Sequence, residues 1–365
     1  MARNCKKIII TVSNDIVTDQ RMERICSSLT DFGFEVEIVG RKLKNSFSLL
    51  PKKYKQSRLK LFFKKGPLFY AGLNLRLLFY LLEAKPDIVY SVDADTALAG
   101  IWTKRFLKNK LIFDAHELFS EVPELQNRGM IKCIWQRIEK RIILKADVRI
   151  TVSESVANHY SSKYSKPFEV IRNISRAKKT HLVANPKEKY ILYQGALNEG
   201  RGLEQLIEGS NSIDLKIKIA GDGDKIEKLK KQAIENLNGK IEFLGKLMPE
   251  ELEKITANAL LGYNLLDNRS LSYYYSLSNK TFDYMQAGIP QLIPDFPEYR
   301  KLNEEWNFGL IVGLTSEEII KAVTQLMENE SIYNLLKENA KKAGRILTWE
   351  NEEGKLESLI KSLLP

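Results

Sequence analysis

Two short stretches of this sequence place a cation where a helix begins. In YQGALNEGRGLEQLI, residues 193–207, an apolar run ends at Gly195, and Arg201 opens a helical pattern between Gly200 and Gly202. The glycines allow close backbone approach, and a guanidinium can clamp a diphosphate through two or more donors. In SLSNKTFDYMQAGIP, residues 276–290, Ser278, Asn279 and Lys280 open a helix that Gly288 and Pro290 end. A helix N-terminus offers unpaired N–H groups and partial positive charge, which suits an anion. The same macrodipole disfavours a cation there, so local stability does not call for Lys280. Together these features predict a phosphate site. Asp283, one turn inside, could accept hydrogen bonds from a ribose diol; it could equally be an acid complementing the helix dipole.

Other strand-end clusters carry candidate chemistry. In TVSNDIVTDQRMERIC, Asn14 and Arg21 could meet a phosphate or sugar hydroxyls, and Asp19 reads as a helix cap. In LIFDAHELFSEVPEL, His116 follows a buried strand and is one of only three histidines, which makes it a site candidate. Asp93 and Asp95 in SVDADTAL allow a metal pair, but capping of the next helix is the simpler expectation. AGDGDKIEKL lacks the third glycine of a dinucleotide loop, and its Asp222 and Asp224 would repel a pyrophosphate. Between Lys42 and Lys85, lysines 52, 53, 55, 60, 64 and 65 flank Phe62, Phe63, Phe69 and Tyr70. That mixture suits anionic lipid headgroups, or else a solvated loop followed by a buried helix.

Elements must hold these residues in place. Twelve short apolar runs alternate with helical patterns, six in each half of the chain: KIIITVS, EVEIVG, DIVYSV, LIFDA, VRITVS and FEVIRN, then YILYQG, LKIKIAG, IEFLG, LLGYNLL, PQLIPD and FGLIVG. Near-continuous apolar strands between helices predict parallel sheets covered on both faces. The fold class expected is α/β, with two Rossmann-like doubly wound domains facing a cleft. Ligands would lie beyond the carboxyl ends of the strands. The polar stretch 176–188 reads as a linker between domains at 1–175 and 189–345.

Composition fits that picture. The 365 residues are 44% hydrophobic and 28% charged, a globular balance. The net charge of +11 implies acidic partners. Three unpaired cysteines give no disulfide or zinc framework, and a reducing cytoplasm is the default expectation. The first apolar run is too short for a signal peptide, and no run reaches the length of a spanning helix.

The chain resembles the nucleotide-sugar glycosyltransferases of glycosyltransferase family 4, with the GT-B architecture. The resemblance is carried by the stretches around Asn14, His116, Arg201 and Lys280 quoted above, by FLGKLMPEELEKITANALLGYNLL, and by the terminal TWENEEGKLESLIKSL. It implies a retaining transferase using a UDP- or GDP-sugar, with the nucleotide in the C-terminal domain. A glycan or lipid-linked acceptor would lie in the N-terminal one. The terminal residues 346–365 would form a helix returning to the N-terminal domain. Arg201 and Lys280 match the cationic pair on the donor diphosphate, and His116 the histidine contacting the donor sugar; these three are the expected catalytic residues. Asp283 matches the ribose-binding acid, with Gly195, Tyr275, Ser278 and Asn279 completing the donor site, and Asn14 and Arg21 lie on the acceptor or phosphate side. The family often has two glutamates here; this chain has Tyr275 and Asp283 instead. Ala196 replaces the usual arginine, and Ser13-Asn14-Asp15 replaces a glycine-rich loop.

Two cationic anchors would make a metal dispensable, so no metal or cofactor is expected. The expected location is cytoplasmic, peripheral on an anionic membrane surface. Nucleic acid is not an expected partner, since RNA-binding aromatic motifs are missing. The competing readings are an epimerase or hydrolase of the same architecture and a catalytically silent, basic membrane-binding protein.

Overall fold

All twelve apolar runs form strands in the computed structural model, which describes residues 5–44, 46–177, 188–236 and 239–364. The linker expected at 176–188 lies almost entirely outside the described residues. The chain divides into one unit of the residues up to Asn173 with those from Glu352 onward, and a second unit from Ile174 to Asn351.

The first unit holds β1 (Lys7–Thr11), β2 (Glu35–Arg41), β3 (Lys55–Leu59), β4 (Ile88–Val92), β5 (Lys110–Ala115), β6 (Val148–Thr151) and β7 (Glu169–Val170). They form a seven-stranded sheet in the order β3-β2-β1-β4-β5-β6-β7. Every residue of β1 and β4 is buried, as a sheet covered on both faces requires. The strand absent from the apolar runs is β3, whose KQSRL sequence lies inside the lysine-rich stretch. It pairs in parallel with β2 at the sheet edge, where polar side chains blunt an open row of backbone groups.

The second unit holds β8 (Tyr190–Gln194), β9 (Lys216–Ala220), β10 (Ile241–Gly245), β11 (Leu261–Tyr263), β12 (Gln291–Ile293) and β13 (Gly309–Ile311). Their order is β10-β9-β8-β11-β12-β13. Its apolar core runs from Ile191 and Ile217 through Leu261 to Ile319 and Val323. In both sheets the order reverses beside the first strand, at β1/β4 and at β8/β11, and the crevice beyond such a reversal is where open α/β sheets bind ligands. The terminal helix runs from Trp349 to Lys361. Among the described residues no helix is long and apolar enough to cross a membrane.

Candidate donor and acceptor sites

The helix Asn279–Ala287 is held from below. Tyr284 lies over Gly262 of β11, where a Cβ would collide with its ring, and its hydroxyl donates to the Leu192 carbonyl at 2.8 Å. The first turn is fixed by a buried network. Asn264 donates to Thr281 Oγ1 at 2.8 Å and accepts from Ser278 Oγ at 2.7 Å; that hydroxyl also lies 2.7 Å from Tyr299 Oη. The Ser278 N–H donates to Tyr299 Oη at 3.1 Å, so it is not free for an anion as the sequence suggested. The N–H groups of Asn279 and Lys280 remain, in a first turn that offers no intrahelical acceptor.

Lys280 is 6% exposed. Its Nζ lies 4.0 Å from the centroid of the Tyr193 ring, and it has no hydrogen-bond partner among the described residues. Arg201 stacks its guanidinium 4.7 Å from the Tyr273 ring, and its Nε is likewise buried and unpaired among them. Neither cation forms an ion pair among the described residues. Burial, and then the positive charge of Arg201, push the Lys280 pKa well below the ordinary lysine range. The structure thus brings Arg201 and Lys280 together, and the acid that helical spacing puts beside Lys280 is turned elsewhere. Asp283 accepts from Gln194 Nε2 at 2.9 Å and from the Ser175 hydroxyl. Each of its oxygens keeps a second lone pair for a further donor.

A buried Lys280 within reach of the charge of the half-buried Arg201, with no carboxylate partner among the described residues, is costly through repulsion and desolvation. The aromatic faces return part of that cost, about 2 kcal/mol for a desolvated pair, while leaving the positive charge unneutralised. Both rings are anchored: Tyr193 donates to the Ala196 carbonyl at 2.6 Å and Tyr273 to the Glu199 carbonyl at 3.2 Å. Such an arrangement is suited to an anion. Gly195, at φ 138°, ends β8, and a Cβ at Gly221 would run into its carbonyl, so glycine lets the loops after β8 and β9 close together. Tyr275, in the same short segment as Tyr273, packs its ring 5.4 Å from Tyr274.

The sequence reading missed Tyr193, Tyr273, Asn264 and Tyr299. Tyrosines in or near an apolar run read as core. Asn264 was the visible signal: an amide inside LLGYNLL, wholly buried, must bond something.

In the first unit, His116 follows β5. Its Nε2 lies 3.1 Å from Asp114 Oδ2 and 3.1 Å from Arg21 Nε. Arg21 corrects its assignment to a phosphate or sugar. It is 3% exposed and turned inward, with Nη2 on both Asp114 oxygens at 3.1 Å and Nη1 donating to the Ile171 carbonyl at 2.9 Å. Tyr90 adds a bond to Asp114 at 2.8 Å. Burial works against the Asp114 carboxylate, but Arg21 and then His116 outweigh it and hold its pKa well below the usual range. Asn14 is exposed and donates to Asp19 Oδ2 at 2.9 Å; Asp19 caps the helix Gln20–Asp31 through Met22 N–H.

Asp93 and Asp95 do not cap the helix Ala97–Leu107, whose N-cap is Thr96. No acid, histidine or cysteine cluster fit for a metal occurs among the described residues. Burial raises the Asp95 pKa to about 6. In the lysine-rich stretch, Phe69 and Tyr70 face inward, Phe69 beneath Arg41 at 4.8 Å and Tyr70 against Trp135 at 4.8 Å. Phe62 is 93% exposed and Phe63 44%.

Comparison with known proteins places these units. Residues 20–175 match the family described as Glycosyltransferase Family 4, and residues 175–343 match Glycosyl transferases group 1. An uncharacterized glycosyltransferase of Methanocaldococcus jannaschii is 27% identical over 288 residues, covering 73% of this chain and 72% of that protein. The sucrose-phosphate synthase of Thermosynechococcus elongatus shares the fold with a TM-score of 0.80 at 18% identity, over 98% of this chain and 99% of that one. HepE of Anabaena, solved in complex with UDP, does so with a TM-score of 0.74 at 12% identity, over 98% and 100%.

Proposed function

We propose, for a chain that belongs to the group 1 glycosyltransferases of GT-B architecture, that Arg201 and Lys280 bind the diphosphate of a UDP- or GDP-sugar and stabilise it as it leaves. The observation that carries this reading is a buried Lys280 in a helix first turn and a half-buried Arg201, each on an aromatic face and neither with a counter-ion among the described residues. As the bond from the anomeric carbon to the phosphate oxygen breaks, negative charge grows on that oxygen. Fixed cations and the Asn279 and Lys280 amides would stabilise that charge more than the ground state. The acceptor hydroxyl oxygen forms the new bond, on the face the phosphate leaves, and its proton passes to the departing phosphate. This route retains configuration and asks for no metal. Asp283 would hold the ribose hydroxyls with its remaining lone pairs, and Gly195, Tyr275 and Asn279 would line the donor site. His116 would contact the donor sugar.

The test is a panel of UDP- and GDP-sugars with candidate glycan and lipid-linked acceptors, read by mass analysis of products. Free sugar or an epimer in place of a glycoside would support the hydrolase or epimerase reading instead. A second measurement reads the site itself. A diphosphate beside Lys280 raises the pKa that burial and Arg201 depress, so UDP binding takes up protons at pH values between the free and bound pKa. Titration calorimetry in buffers of different ionisation enthalpy should show that uptake in the wild type and lose it in Lys280→Met. Equal proton exchange in both proteins would count against a charged ligand at Lys280.

The acceptor end would lie on an anionic membrane surface. Lys52, Lys53 and Lys55 already pair with Glu23, Asp31 and Glu37. That leaves Lys60, Lys64 and Lys65 around the exposed Phe62 and Phe63 as the docking segment. Binding to phosphatidylserine vesicles should weaken with salt and fall several-fold in Phe62→Ser/Lys64→Ser; binding indifferent to salt would rule this out.

A further inference from the structure

We propose that Asp93 is a positioning residue of the transfer reaction, bracketing His116 opposite Asp114 and fixing the ring's orientation and proton state; this rests on His116 belonging to the active site. Strands β4 and β5 are adjacent, and Val92 pairs with Asp114, so the residue after β4 falls beside the loop after β5. Asp93 adopts φ 52°, in the left-handed region that non-glycine residues seldom enter. Its N–H donates to the Asp114 carbonyl at 2.9 Å. This turn carries its carboxylate across the next loop. Oδ1 accepts the His116 backbone N–H at 2.8 Å, and Oδ2 lies 4.0 Å from His116 Nδ1. On the other edge of the ring, Nε2 lies 3.1 Å from Asp114 Oδ2. Asp93 therefore faces Nδ1 at 4.0 Å, while Nε2 meets both Asp114 Oδ2 and the Arg21 Nε–H at 3.1 Å.

The two carboxylates differ in kind. The Asp114 side chain is 0% exposed and locked by Arg21 and Tyr90. Those of Asp93 and His116 are 20% and 23% exposed, so this edge of the bracket is the one a substrate can reach. No helix-capping bond occupies Asp93, since the neighbouring helix has Thr96 at its N-cap. The charged groups around the ring are Asp114 and Arg21 on the Nε2 side and Asp93 on the Nδ1 side. Glu117 and Asp95 lie next to Asp93, with Arg41 and His116 acting on Asp95. Burial lowers the His116 pKa, but Asp114 and then Asp93 reverse that, and the net shift is upward. Burial pushes Asp93 itself up. The two carboxylates favour the protonated ring, while Arg21 at Nε2 opposes it, so the proton affinity of His116 is set by the balance that Asp93 enters.

Asp93→Asn removes the charge while keeping an acceptor for the His116 N–H, and asparagine tolerates the left-handed backbone. Asp93→Gly removes the charge with no backbone strain and serves if the first variant folds poorly. The readouts are NMR titration of His116, one of three histidines, and the pH profile of kcat/KM. The expected result is a His116 pKa lower by about 1 unit, kcat reduced about tenfold, UDP affinity unchanged, and no further loss when Asp93→Asn is added to His116→Ala. An unshifted His116 pKa and pH profile, or an equal loss in the His116→Ala background, would overturn the proposal. Full activity of His116→Ala would instead remove His116 from the active site, leaving the NMR result to judge the bracket alone.

Discussion

Replacing Lys280 with methionine should lower kcat/KM by about a hundredfold or more while making the protein more stable. The two effects share one cause. Lys280 is a buried cation with a second cation nearby and no acid partner among the described residues. In the absence of ligand it is a liability, because burial and Arg201 both disfavour its charge. Methionine fills a similar volume without charge, and removing such a burden is worth about 1–2 kcal/mol after the lost aromatic contact is subtracted. The pH dependence carries the same sign. The folded pKa of Lys280 is depressed, so the unfolded chain binds its proton more readily. Wild-type stability therefore falls as pH drops from the ordinary lysine range through the depressed value, and the methionine variant lacks that decline. The expected loss of activity follows from the proposed role of Lys280 as a preorganised charge at the departing phosphate, a kind of contact worth about 10²–10³ in rate. A variant that loses stability and keeps its rate would make Lys280 part of the scaffold. Gains in stability bought with function are common where a site stores strain or charge.

The second large effect is expected from Arg201→Ala, with kcat/KM reduced tenfold or more, at least about 1.4 kcal/mol of transition-state stabilisation. Arg201 lies in a glycine-flanked turn and over the Tyr273 face. Its guanidinium contributes little to the core, so thermal unfolding should change little. The loss should appear with nucleotide-sugar as varied substrate and should persist at saturating acceptor. Wild-type kinetics in Arg201→Ala would place the diphosphate elsewhere.

Much of the fold was legible because parallel strands buried on both faces are written as apolar runs, and KIIIT, IVYSV and YILYQ leave little choice. The edge strand β3 was not legible. KQSRL has neither alternation nor an apolar run, since an exposed edge rewards polar side chains. In the candidate site, Arg201 and Lys280 stood out because each breaks a local rule, a glycine-flanked cation in one case and a cation at a helix start in the other. Their aromatic supports were not. Tyr193 is a strand residue and Tyr273 one of three consecutive tyrosines, and sequence alone cannot say which face of a ring is turned to a cation. Arg21 shows the opposite failure. Its place after a polar strand-end loop suggested a ligand, yet the guanidinium turns into the sheet to neutralise Asp114, a partner 93 residues away. Pairing across such a distance is a property of the sheet order and has no local signature.

The central claim is that Arg201 and Lys280 grip the same phosphates. The most direct measurement compares the affinities of UDP and uridine in the wild type and in Arg201→Ala/Lys280→Met. The account predicts that the wild type prefers UDP by a hundredfold or more, since charge-assisted bonds to a diphosphate contribute at least about 2.7 kcal/mol. It also predicts that the double variant binds the two ligands almost equally. A double variant that keeps the full wild-type preference for UDP would contradict it.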